Sequence, residues 1–247
     1  QRKMPRTYGH HEGTKTIRDI ALSCNKLGVK AMTVYAFSTE NFARPNQEVQ
    51  YIFKLPKDFF FGAAMSGPQT EGSYNVGGRL RSYWDMYSDQ EINAFFNNVG
   101  SYVGNDMYHK YEEDIKLLKS MNFKSFRTSM QWTRLLDQDG NINPEGAAWY
   151  HKLIDCAHEN GIEIFMNMYH FDMPEYLVKR GGWQNREVVE AYANFVKKAM
   201  EEFGHKIKYW FTFNEPIVEP EQQFLHGVWY PYVKDFKQSI NVQYNIT

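Results

Sequence analysis

The feature that most constrains how this chain can fold is a regular alternation of strand-like and helix-like segments between residues 58 and 213. Asp58 to Met65 is an apolar, strand-like run. Gly104 to Met121 reads as a helix, with Met107, Tyr111, Ile115 and Leu118 at core-facing spacing. Ser125 to Met130 reads as a strand. Pro144 to Glu159 reads as a helix, opened by proline in its first turn and followed by Gly161. Glu163 to Tyr169 is a third strand, Arg186 to Phe203 a helix stopped by Gly204, and Tyr209 to Phe213 a fourth strand. Strands separated by helices predict parallel pairing, because a parallel neighbour is reached only through a long crossover.

A closed barrel of this type needs eight strands. The expected fold class is therefore α/β, an incomplete (β/α)8 TIM barrel of about four strand–helix units, preceded by a small α/β fragment. Gln238 to Asn245 holds only the start of whatever follows the fourth strand.

The strand ends carry the chemistry. Tyr209 to Phe213 runs into Asn214, Glu215 and Pro216. Proline cannot donate to a ladder, so the strand stops there and Glu215 sits where strand becomes loop, on what would be the catalytic face of a barrel. A carboxyl crowded by aromatics would hold its proton longer and act as a general acid; a simply solvated strand-end glutamate is the even alternative. Gln69 and Glu71 follow the first strand, Arg127 lies within the second, and His170 and Asp172 follow the third. An arginine inside a barrel requires a carboxylate partner. Read singly, Gln69 fits a turn residue, His170 a hydrogen-bonded core histidine, and Asp172 and Glu175 loop charges. Four strands each delivering polar groups to one end favour a site for a polyhydroxylated ligand such as a sugar. No His, Cys and carboxylate set has metal-ligand spacing, and Gly77-Gly78 reads as a turn, not a phosphate cradle.

Composition narrows the partners. A net charge of -1 gives no reason to expect nucleic acid or an anionic membrane. No apolar run approaches the ~20 residues of a membrane span, and no signal peptide opens the chain, so the expectation is a soluble, cytoplasmic protein. In that compartment the triplet Asn245-Ile246-Thr247 is a chance glycosylation match. Aromatics at 17% suit sugar stacking, although a Phe- and Tyr-rich core is the commoner explanation. Cys24 and Cys156 are expected as reduced core thiols.

Ahead of residue 56 the pattern differs. His11 to Leu27 reads as a helix with Ile17, Ile20, Ala21, Cys24 and Leu27 on one face, Lys30 to Phe37 as a strand, and Asn46 to Leu55 as a short helix. Arg6, His10, Ser38, Asn41 and Arg44 suit a phosphate or pyrophosphate if they converge; by spacing alone they read as solvated loop residues. The strings Gly9-His10-x-x-Gly13 and Tyr35-Ala36-Phe37-Ser38-Thr39-Glu40-Asn41-Phe42-x-Arg44-Pro45 closely resemble undecaprenyl diphosphate synthase, a cis-prenyltransferase. The resemblance covers residues 1 to about 56. It implies diphosphate binding by Arg6 and His10, with Ser38, Asn41 and Arg44 lining a catalytic cleft. Phe42 stands where that family usually has Trp. The family's Asp-Gly-Asn-Gly-Arg loop is expected ahead of Gln1, so magnesium, and prenyl transfer, would apply only to a functional fragment.

From about residue 56 onward a second resemblance holds. Gln69-x-Glu71-Gly72, Phe126-Arg127-x-Ser129-x-x-Trp132-x-Arg134, Tyr169-His170-Phe171-Asp172-x-Pro174, Gly181-Gly182-Trp183 and Thr212-Phe213-Asn214-Glu215-Pro216 look like glycoside hydrolase family one. The variant Met65 to Gly72, with Met168-Tyr169-His170-Phe171, is most similar to bacterial 6-phospho-β-glucosidases. This resemblance implies a retaining mechanism without cofactor, acting on a small sugar or sugar phosphate. Glu215 matches the acid/base, Arg127 the residue that orients the nucleophile, and Gln69, His170 and Asn214 the binders of sugar hydroxyls. The nucleophile belongs to strand seven, beyond these residues, so the chain is expected to lack turnover and to self-associate through exposed barrel edges.

The two resemblances meet at Lys54-Leu55-Pro56-Lys57-Asp58-Phe59. The expected organisation is a chimera: residues 1–56 a prenyltransferase-like fragment and residues 57–247 the front half of a glycosidase barrel.

Overall fold

The structure is a computed structural model that describes residues 16, 19, 20, 22–24, 26, 27, 60–89 and 95–246. The chain divides into two compact units, Gln1–Phe61 and Gly62–Thr247. In the first unit, Thr16, Asp19, Ile20, Leu22 to Cys24 and Lys26 are helical, as the sequence pattern predicts. Ile20 and Leu27 are exposed, not buried. The strand and second helix expected here lie outside the described residues, as do Arg6, His10, Ser38, Asn41 and Arg44.

The second unit is built on one parallel sheet in the order β1 (Gly62–Ala64), β2 (Ser125–Ser129), β3 (Glu163–Tyr169), β4 (Tyr209–Phe213). Its helices are α1 (Gly67–Thr70), α2 (Tyr83–Ser88), α3 (Met107–Ser120), α4 (Trp132–Leu135), α5 (Pro144–Glu159), α6 (Glu175–Lys179), α7 (Arg186–Phe203), α8 (Val218–Pro220) and α9 (Phe236–Ile246).

The long helices form where local chemistry starts and stops them. Asn143 accepts the Glu145 N–H at the start of α5, and Pro144 occupies its first turn. Asn185 accepts the Glu187 N–H at the start of α7. Along α7, Val188, Tyr192, Phe195, Ala199 and Phe203 are buried; steps of three and four residues keep them on one stripe. In α3, Met107, Ile115 and Leu118 are buried, while Tyr111 is half-buried.

Register decides what each face of the sheet presents. Arg127 pairs with Phe165, and Phe165 with Tyr209, so three half-buried side chains stand in a row. The Phe165 and Tyr209 rings stack at 4.5 Å. The alternate residues Phe126, Ile164 and Met166 are wholly buried, so the two faces of the sheet are covered unequally. Both cysteines are free and half-buried, a correction to the core positions expected for them. Among the described residues, no helix is long and apolar enough to cross a membrane, and no cluster of His, Cys, Asp or Glu could hold a metal ion.

Candidate active site

The C-terminal ends of the four strands bring the polar residues to one side of the sheet, the side on which barrel enzymes carry their chemistry. Arg127 projects from β2 and donates from Nη2 to Asn214 Oδ1 at 2.8 Å. Asn214 Nδ2 in turn lies 3.4 Å from Glu215 Oε2. One amide therefore links an arginine of the second strand to the carboxyl after the fourth. Arg127 also lies over the Phe211 ring, 5.7 Å from its centroid. Burial lowers the Arg127 pKa, and the charge of Glu215 opposes that shift. The carboxylate partner expected for this arginine is thus replaced by an amide contact, with Glu215 acting through space.

Glu215 is exposed, so the aromatic crowding considered for it is not met. Its backbone is unusual in another way: φ is 45°, in the left-handed region that a side chain disfavours. Phe171, after β3, has φ 63°. Two non-glycine residues with left-handed backbones, one after β3 and one after β4, mark a site where geometry is imposed by the surroundings.

His170 follows β3 directly. The residue is 9% exposed, and its Nδ1 is buried without a protein partner. Burial, aided by the charge of Arg127, lowers its pKa to about 4. A neutral imidazole with an unused polar nitrogen is suited to a hydroxyl group of a ligand. Gln69 lies on α1 after β1; it is exposed, and its Oε1 accepts the Ser66 hydroxyl at 2.6 Å. The structure thus joins Arg127, Asn214 and Glu215 in one chain of contacts, sets His170 within the field of Arg127, and leaves Gln69 on the neighbouring strand end.

Two further carboxyls are deeply buried. Asp172 is wholly buried, not a loop charge, and accepts the backbone N–H groups of Trp132 at 2.7 Å and His170 at 3.2 Å. Glu219 is 2% exposed and accepts from Tyr169 Oη at 2.7 Å, Trp183 Nε1 at 3.1 Å and Gln223 Nε2 at 3.0 Å. Burial pushes both pKa values up to about 7, although their hydrogen bonds work against it. Neither carboxyl is free to attack an incoming ligand. Glu175 pairs with Arg81 and Lys179 at the surface. Glu71 is locked to Arg134 in the interior. Its signal in the sequence was its companion, the arginine seven residues past Arg127.

Comparison with known proteins decides the family. The model of glycosyl hydrolase family 1 matches residues 52–247. This chain belongs to that family. The family 1 portion is 41% identical over 194 residues to the 6-phospho-beta-glucosidase GmuD of Bacillus subtilis, covering 78% of the chain and 42% of that protein. It is 36% identical to beta-glucosidase A of Acetivibrio thermocellus, covering 78% of the chain and 43% of the relative. Among solved structures, a family 1 b-glucosidase from Thermotoga maritima superposes with a TM-score of 0.73 at 33% identity, covering 78% of the chain and 44% of that enzyme. The chain thus spans less than half the length of these relatives. A second family model, that of undecaprenyl diphosphate synthase, matches residues 1–95 and overlaps the first over 52–95.

Proposed function

We propose that residues 57–247 carry the acid/base half of a retaining β-glycosidase site for 6-phospho-β-glucosides or plain β-glucosides. Glu215 protonates the leaving oxygen and then deprotonates the incoming water, while Asn214 holds the sugar 2-hydroxyl, a contact that strengthens at the transition state. His170 and Gln69 bind further hydroxyls of the same ring. Arg127 orients Asn214 and supplies positive charge beside a carboxylate nucleophile. In a retaining enzyme that nucleophile stands about 5–5.5 Å from the acid/base. Asp172 and Glu219 are buried and occupied by scaffold donors, so residues 1–247 alone bind sugar and turn it over poorly.

The observation that carries this reading is the Arg127–Asn214–Glu215 chain of contacts at the strand ends. Calorimetric titration with glucose and glucose 6-phosphate tests binding, and 4-nitrophenol release from its β-glucoside and 6-phospho-β-glucoside tests turnover, with Glu215→Gln as control. Glucose or glucose 6-phosphate binding that is lost in Asn214→Ala supports the reading; no binding of either refutes it. Glu215-dependent turnover at ordinary glycosidase rates would refute the expected incompetence of these residues by themselves.

The prenyltransferase match supports a separate reading for residues 1–56, a diphosphate-binding fragment using Arg6, His10, Ser38, Asn41 and Arg44. Titration with pyrophosphate tests it, and Arg6→Ala should abolish the heat.

A further inference from the structure

We infer that Glu219 is a positioning residue that holds Glu215 in its strained backbone by clamping the acid/base segment onto the end of β3. The inference rests on the proposed sugar site only for its functional consequence.

The segment 214–219 is fastened to one residue, Tyr169, at both of its ends. At the upstream end the Asn214 N–H donates to the Tyr169 carbonyl at 2.9 Å. At the downstream end the Tyr169 hydroxyl donates to Glu219 Oε2 at 2.7 Å. Glu215 lies between these anchors, and its own carbonyl accepts the Val218 N–H at 2.9 Å, which tightens the intervening turn. Tyr169 is itself packed in the interior: it is 1% exposed, and its carbonyl also accepts Asn167 Nδ2 at 2.6 Å. Its ring packs edge-on against Trp183 at 5.1 Å and Phe213 at 5.5 Å. The same residue is followed by His170, so one clamp fixes the acid/base and the hydroxyl-binding histidine relative to each other.

A left-handed glutamate persists only where its neighbours over-determine it. A carboxylate is suited to the task because both of its oxygens are engaged: Oε2 by Tyr169 and Trp183, Oε1 by Gln223. The titratable groups that face Glu219 are Tyr169 and Asp172 at the end of β3 and Tyr83 on α2. Tyr83 and Tyr169 keep their protons throughout the accessible range, and Asp172 opposes the charge on Glu219.

The test is backbone amide exchange together with calorimetry on the full chain, comparing the parent with Glu219→Ala, Glu219→Gln and Tyr169→Phe. Glu219→Ala and Tyr169→Phe should speed exchange at the Asn214 and Val218 amides at least tenfold more than at the amides of β2. Glu219→Gln, which keeps an acceptor of the same shape, should recover most of that protection. In the same proteins, affinity for glucoimidazole, a glucose-like ring fused to a basic imidazole that a carboxylic acid can protonate, should fall about tenfold in Glu219→Ala and recover in Glu219→Gln. Glucose affinity, shared with His170 and Gln69, should fall less. Uniform loosening of all strands, or unchanged exchange at Asn214 and Val218, overturns the inference. So does unchanged glucoimidazole affinity in a variant whose Asn214 and Val218 amides have loosened. If the parent binds neither sugar, the sugar-site reading fails, and the exchange arm still decides the clamp.

Discussion

Replacing Arg134 with methionine should be among the most destabilising single changes in the barrel unit, and the structure sets its size. Arg134 is 0% exposed and Glu71 2% exposed. The guanidinium donates from Nε to Glu71 Oε2 at 2.7 Å, and from Nη2 and Nη1 to the carbonyls of Gly72 at 3.1 Å and Val76 at 3.3 Å. It lies 4.4 Å from the Tyr108 ring centroid. Glu71 also accepts from Gln131 Nε2 at 2.6 Å and Tyr150 Oη at 2.8 Å. Arg134→Met leaves the Glu71 carboxylate buried with two neutral donors and no countercharge. Breaking a buried pair in this way costs about 3–5 kcal/mol, whereas removing both charges together is often close to neutral. For a unit of this size, 1 kcal/mol moves Tm by about 2–4 °C, so a drop of roughly 6–20 °C is expected. Urea unfolding followed by tryptophan fluorescence and far-UV circular dichroism measures it, with an unchanged m-value as the condition for comparison. The double variant Glu71→Gln, Arg134→Met should recover at least half of the loss. A cost below about 1 kcal/mol for Arg134→Met, or a double variant equal to the sum of its singles, would refute the reasoning.

Three further outcomes are expected. Burial pushes the folded pKa of Asp172 and Glu219 up to about 7 from the ordinary carboxyl range; the folded state therefore holds protons that the unfolded state releases, and their contribution to stability falls as pH climbs from about 4 to about 7, by on the order of 3 kcal/mol each. Glu219→Gln should gain on the parent across that window; a constant difference in urea midpoint from pH 4.5 to 7.5 would contradict this. His170 should titrate at about 4 in imidazole NMR spectra, because burial and the Arg127 charge disfavour its cation, and Arg127→Gln should raise the midpoint; a midpoint of 6–7 in the parent would disprove its burial. Gly72→Ala should cost more than about 2 kcal/mol, since φ is +62° and a Cβ would lie 1.8 Å from the Val103 carbonyl oxygen. Gly161→Ala, also left-handed at φ +72° but facing open space, should cost only about 1 kcal/mol by comparison.

The long elements were legible because each carries its own start and stop. α5 and α7 occupy the predicted residues, between asparagine caps and glycine, and β3 and β4 run from the predicted first residue to the predicted last. β1 is shorter than the apolar run that contains it: the run opens at Asp58, and the strand pairs only from Gly62 to Ala64. The short helices α1, α4 and α6 were missed because four or five residues show no periodicity. At the site, motif residues such as Asn214 and Arg127 could be named, but their mutual contact depends on the register of β2, β3 and β4, which no local signal encodes. The burial of Asp172 and Glu219 was hidden for the opposite reason. Each acid lies outside the strands and long helices, and its donors come from residues as distant as Trp132 and Trp183.

The positive φ of Glu215 sets chemistry and folding at odds. Glycine would rest comfortably in that conformation, whereas the acid that the proposed reaction needs does not. Under the acid/base role proposed for Glu215, random mutation screened for thermal robustness alone would therefore drift away from the carboxyl at position 215, and selection for glycoside cleavage would be needed to keep it.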